Sequence, residues 1–155
     1  MRKAKGMVDI TEKDVVYREA IAVGWIKLKK ETLEKIKRGE VPKGDVLAVS
    51  RVAAVQAVKK TSELIPYCHP IPITSVEVEF QLGEETVTVE VTVKAHARTG
   101  VEMEALVGVC TALLTIWDMV KALEKSEDGQ YPHTEIGGVK VLKKVKLAEG
   151  GKKER

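Results

Sequence analysis

Asp118 and Lys121 stand three residues apart in Trp-Asp-Met-Val-Lys, inside a long apolar stretch. On a helix this spacing puts both on one side, where each can hold the other's charge and couple its protonation, as an acid/base pair requires. An ordinary helix salt bridge has the same spacing. The oily neighbourhood favours chemistry, because isolated charges in a buried helix are costly unless a site uses them. Glu104 lies fourteen residues earlier, which on a straight helix is roughly 21 Å away and nearly on the same side. It therefore serves a long ligand, a neighbouring subunit's site or a structural role.

A second group surrounds His69 in Thr61–Pro72, Thr-Ser-Glu-Leu-Ile-Pro-Tyr-Cys-His-Pro-Ile-Pro. Prolines 66, 70 and 72 fix their own backbone and bias Ile65, His69 and Ile71 toward extended geometry. The loop is expected to be stiff, holding an imidazole in one orientation; the less favoured alternative is a plain helix-to-strand connector with His69 merely exposed. No Gly-rich phosphate loop and no G-x-S-x-G elbow is present, so a bound nucleotide would be held by side chains. Arg18, Lys43, Lys59, Lys121 and His69 could supply that cationic set. A zinc site built from Cys68, His69, His96, Cys110 and His133 lacks any C-x-x-C or H-x-x-x-H spacing, and no metal is expected.

Composition narrows the setting. The net charge of +3 comes from the tails, which contribute +5, and residues 7–150 carry −2. That argues against a nucleic-acid binder, which normally shows a basic face on the folded domain. No run approaches the roughly 20 apolar residues of a membrane span and the N-terminus lacks a signal-like apolar region, so a cytoplasmic location is expected. Cys68 and Cys110 sit in contexts of different polarity, so no disulfide is expected. Asn is absent and Lys and Glu abound, as in heat-adapted proteins. One domain over 1–155 is expected, with short disordered basic tails at about 1–6 and 148–155.

The positioning elements follow from pattern. Residues 7–14 read as a loosely held lead-in, and β-branched and aromatic residues predict a strand from Val16 to about Leu28. A short helix over Lys30–Arg38 stops at Gly39, and Lys43 sits on the turn before Gly44. A helical segment over Val46–Lys60, with Ser50 as its cap, delivers the chain into the proline loop. Alternation over Ser75–Leu82 and Thr86–Lys94 predicts a hairpin across Gly83-Glu84. Thr99-Gly-Val-Glu102 matches a capping box opening a helix to about Lys125, apolar nearly all round and so needing cover on several sides, part of it from another subunit. A charged strand over Gly137–Leu147 completes an α+β sandwich with helices on one face of a mostly antiparallel sheet.

Several motifs together resemble the MoaC family: Met-Val-Asp-Ile at Met7, Lys-Gly-Asp-Val-Leu at Lys43, Thr-Ser-Glu-Leu-Ile-Pro-Tyr-Cys-His-Pro at Thr61, Thr-Gly-Val-Glu-Met-Glu-Ala-Leu at Thr99 and Trp-Asp-Met-Val-Lys-Ala at Trp117. Tyr67, Trp117, Val120 and Ala54 replace the family's usual Leu, Tyr, Cys and Gly, and Gly150-Gly151-Lys152 replaces a longer ending. The resemblance implies a ferredoxin-like fold and a homo-oligomer, a hexamer built as a trimer of dimers, with active sites at subunit interfaces. It implies a lyase that converts 3',8-cyclo-7,8-dihydroguanosine 5'-triphosphate to cyclic pyranopterin monophosphate and pyrophosphate. No cofactor is implied, beyond magnesium that could accompany the triphosphate. By motif, Asp118, Lys121 and Lys43 would be catalytic. Tyr67, Cys68, His69, Met103 and Glu104 would line the substrate site, with Arg18 and Lys59 on phosphates. The alternative class is a non-catalytic oligomeric scaffold or nucleotide-binding module, and calorimetry with guanine nucleotides separates the scaffold from the enzyme.

Overall fold

The computed structural model describes residues 6–148, and the basic tails expected at the two ends lie outside them apart from Gly6 and Ala148. Strand β1 (Val16–Lys27) alternates buried and half-buried positions over most of its length, as a strand between two neighbours and under helices should. Helix α1 (Lys30–Arg38) buries Thr32, Leu33 and Ile36 and ends at Gly39, whose φ of 69° lets its N–H reach back to the last turn. Helix α2 (Val46–Lys59) runs directly into the single turn α3 (Thr61–Leu64). Strands β2 (Ile73–Leu82) and β3 (Thr86–Ala97) form the predicted hairpin, closed by Gly83 N–H donating to the Thr86 carbonyl. Helix α4 (Glu102–Glu124) then leads to β4 (Glu135–Leu147).

The strands lie in the order β2-β3-β1-β4, every neighbouring pair antiparallel. Each helical connection thus joins two parallel strands with a third strand between them, the split β-α-β arrangement of the ferredoxin-like fold. The α+β expectation holds. Val87, Val89, Val91, Val93 and Ala95 of β3 are all fully buried beneath the helices, as the alternation predicts.

Helix α4 is the central element, packed on β1, β3 and β4 with α2 alongside it over β2. The expectation that no run is long and apolar enough for a membrane span is corrected by α4, which has both the length and the apolar composition for one, but here it is the core helix. Close approach is built in with glycine. A Cβ on Gly24 of β1 would stand 2.9 Å from Val109 Cγ1 and 3.0 Å from Leu113 Cδ1 and Val139 Cγ2. Gly24→Val is therefore expected to overpack the sheet–helix contact by about 1–3 kcal/mol, read as a lower denaturant midpoint.

Three local expectations are corrected. Asp45, not Ser50, caps α2: its Oδ1 accepts from Ala48 N–H at 3.0 Å, while Ser50 is buried inside the helix with no hydrogen-bond partner for its hydroxyl among the described residues. Thr99 does not cap α4, because the helix opens at Glu102 with Val101 in the cap position and no side-chain cap. Glu102 instead gives one oxygen to Lys144 Nζ at 3.2 Å. The loop expected over Thr61–Pro72 begins as helix, since a proline restrains only the single residue before it: Thr61–Leu64 is helical, Ile65 is extended, and Pro66 and Tyr67 form a turn closed by Cys68 N–H donating to the Ile65 carbonyl at 3.0 Å. The Thr61 hydroxyl donates to the carbonyls of Ala57 and Val58.

Candidate active site

The polar side chains form two groups, one toward each end of α4. Toward its C-terminal end, Asp118 stands between two ammonium groups: Lys121 Nζ lies 3.0 Å from Oδ1 and Lys43 Nζ 3.1 Å from Oδ2. Lys43 also donates to the Asp118 backbone carbonyl at 3.1 Å. Hydrogen bonds from Lys121 and then Lys43, reinforced by their charge, hold the Asp118 carboxyl below the usual carboxylate range. Lys121 is held above the ordinary lysine value, first by its hydrogen bond to Asp118. The cluster therefore rests as one carboxylate clamped by cations. It is open to solvent, with the Asp118 side chain 58% exposed. The expectation of charges isolated in a buried helix is thus corrected: α4 turns this side outward.

Toward the N-terminal end of α4, the Glu104 carboxyl is buried, with Cys68 Sγ donating to Oε2 at 3.7 Å and Oε1 without a partner among the described residues. Burial pushes the Glu104 carboxyl above its ordinary range. Burial, and then the neighbouring Glu104, push the Cys68 thiol up to about 11. Cys68 is accordingly expected to resist alkylation by iodoacetamide at pH 8 and to react readily only above pH 11, as followed by mass spectrometry.

His69 sits beside this pair, Nε2 lying 2.6 Å from the Val8 carbonyl oxygen. Since a carbonyl only accepts, Nε2 carries the hydrogen in this contact. A hollow of about 440 Å³ opens here, lined by Tyr67, Cys68, His69, Met103, Glu102 and Lys13 among others. The lead-in, expected to be loosely held, is drawn against it: Val8 and Ile10 line the same hollow.

Arg18 is buried on β1 at this end of the sheet, its Nε and Nη2 donating to the carbonyls of Ala97 and Arg98 at 3.4 and 3.3 Å. Its guanidinium thus supports the turn that leads into α4. Lys59 is exposed on the last turn of α2. Sequence reasoning missed Arg98 and Lys13. Arg98 lines two hollows that both include His69, and its place immediately before Thr99-Gly100 was the available signal.

The structure thus brings Tyr67, Cys68, His69, Met103 and Glu104 together, and separately Lys43, Asp118 and Lys121. The two groups are fourteen residues apart along α4, roughly 21 Å, so within one chain they cannot meet on a common atom.

Fold and site define a small α+β protein of ferredoxin-like architecture, with a Lys-Asp-Lys charge cluster toward one end of its central helix and a hollow lined by an imidazole toward the other. The MoaC family profile matches residues 7–147, and the chain belongs to the MoaC family. It is 59% identical over 146 residues to a protein of Sulfurisphaera tokodaii, covering 94% of this chain and 96% of that one. It is 58% identical over 144 residues to a protein of Pyrococcus horikoshii, covering 93% and 91%. A Methanococcoides burtonii protein is 61% identical over 140 residues, covering 90% and 88%. All three carry the name "Probable cyclic pyranopterin monophosphate synthase".

Proposed function

We infer that this chain is a cyclic pyranopterin monophosphate synthase. It is a lyase that converts 3',8-cyclo-7,8-dihydroguanosine 5'-triphosphate to cyclic pyranopterin monophosphate and pyrophosphate in molybdenum cofactor biosynthesis. Forming a cyclic monophosphate from a triphosphate requires a substrate hydroxyl to bond to the α-phosphorus as the bond to pyrophosphate breaks. The hydroxyl proton must be taken up and the charge of the leaving pyrophosphate neutralised. Proton transfer belongs to Lys43, Asp118 and Lys121. Tyr67, Cys68, His69, Met103 and Glu104 hold the substrate's ring system, and Arg18 and Lys59 act toward its phosphates, joined by Arg98 and Lys13. The enzyme works in the cytoplasm and needs no resident cofactor; magnesium travelling with the triphosphate is part of the substrate.

The observation that carries this reading is the Lys43–Asp118–Lys121 clamp, in which a loop lysine reaches a helical carboxylate already paired with its own neighbour. The separation of this clamp from His69 supports a homo-oligomer, a hexamer as a trimer of dimers, in which one copy's clamp meets another's hollow. Exposed Val49, Val52, Leu64 and Leu114 on the helices provide apolar surface for such contacts. Supplied with the cyclised triphosphate, the purified protein is expected to release pyrophosphate in equal amount to cyclic pyranopterin monophosphate. Substrate binding without pyrophosphate release would leave only the nucleotide-binding module.

A further inference from the structure

Glu124, the last residue of α4, is fully buried and forms no ion pair with any lysine or arginine among the described residues. Its carboxyl group is satisfied by hydrogen bonds from two other segments. The Lys29 backbone N–H is shared between Oε1 and Oε2 at 3.2 Å, the Thr32 hydroxyl donates to Oε2 at 2.5 Å and the Thr134 hydroxyl donates to Oε1 at 2.8 Å. A buried carboxyl is costly unless so bonded, and losing one donor leaves the desolvation cost uncompensated.

Both tethered segments flank the Asp118 cluster. Lys29 and Thr32 form the start of α1, the short helix whose exit loop carries Lys43 to Asp118. Thr134 closes the connection from α4 to β4, and that connection carries Tyr131. The Tyr131 ring meets Trp117, the neighbour of Asp118, edge-on at 5.2 Å, and Lys125 Nζ lies 5.9 Å from its centre. The connection is itself braced, Ser126 N–H donating to the Gln130 carbonyl and Gly129 N–H to the Ser126 carbonyl, both at 2.9 Å.

We propose that Glu124 is a positioning residue of the acid/base site, which through Thr32 and Thr134 sets where Lys43 and Tyr131 stand relative to Asp118 and Lys121. This rests on the reading of Lys43, Asp118 and Lys121 as the proton-transfer groups. Its action is geometric. A displacement of about 1 Å at a reacting group can cost on the order of a hundredfold in rate, so a loosened tether shows in turnover before it shows in binding.

The test compares Glu124→Gln, Thr134→Val and Thr134→Ser, each assayed well below its melting temperature. Glu124→Gln and Thr134→Val are expected to lower kcat at least about tenfold with KM changed less than about threefold, and Thr134→Ser, which keeps the hydroxyl, to restore turnover. Independently of activity, the Asp118 carboxyl followed by 13C NMR is expected to titrate at higher pH in both impaired variants, because Lys43 is no longer held against it. Unchanged kcat per folded molecule, or an Asp118 titration that does not move, overturns the proposal. Should Glu124→Gln not fold, the two Thr134 variants decide by the same readouts. If the unsubstituted enzyme itself released no pyrophosphate, the catalytic reading would fall while the NMR titration still decided whether Glu124 sets the geometry.

Discussion

Replacing Asp118 or Lys121 by alanine is expected to cut pyrophosphate release by orders of magnitude while hardly moving the melting temperature. The loss of activity follows from what each side chain holds. Without Asp118, two ammonium groups 3.0 and 3.1 Å from the vanished carboxylate lose the partner that fixes them, and Lys43 has only the backbone carbonyl left to bind. Without Lys121, the cluster keeps one cation and loses a proton donor. Positioned acid/base groups typically contribute about 10²–10⁴-fold in rate, and a decrease of that order in kcat is the expected reading. The small effect on melting follows from exposure, because ion pairs open to solvent add little to folding. Steady-state pyrophosphate release and a thermal melt on the same preparations check both halves. Full activity in either variant removes the catalytic assignment.

The second large effect concerns two chains at once. His69→Ala and Lys121→Ala are each expected to be inactive alone, yet to recover activity when co-expressed or unfolded and refolded together. A site assembled from the His69 end of one copy and the Lys121 end of another is intact wherever a Lys121→Ala chain supplies the imidazole and a His69→Ala chain supplies the lysine. Random pairing across a twofold interface makes about one quarter of sites intact. Recovery toward that level, with light scattering giving the mass of six chains, is the expected outcome. No recovery in verified mixed oligomers would place both groups in a single chain's site, which the run of α4 between them makes hard to build.

Parts of this molecule are readable because their signal is local. The period-two alternation from Val87 to Val93 has one interpretation, and all four of those valines are fully buried. Gly39 ends α1 because a left-handed residue is needed within one turn of the helix's own last carbonyls. Helix caps were less legible. Asp45 and Ser50, or Thr99 and Val101, differ in which residue begins the hydrogen-bonded turn, and the surrounding packing selects between them. Glu102 illustrates this, since its carboxylate is drawn to Lys144 on β4 and away from the cap a neighbouring threonine would share.

By itself, then, the sequence determined the α+β class, the strand and helix order and the motifs that mark the family, all of which depend on residues within a few positions of each other. It also placed Asp118 and Lys121 on one side of one helix. Only the tertiary structure decided which side of that helix faces solvent, because a helix apolar nearly all round carries no preferred outward face until α2 and the sheet have covered the rest. The same holds for partners far apart in the chain, such as Lys43 with Asp118 across 75 residues and Thr32 with Glu124 across 92. Such pairings depend on how whole elements dock, and no periodicity in the sequence records them.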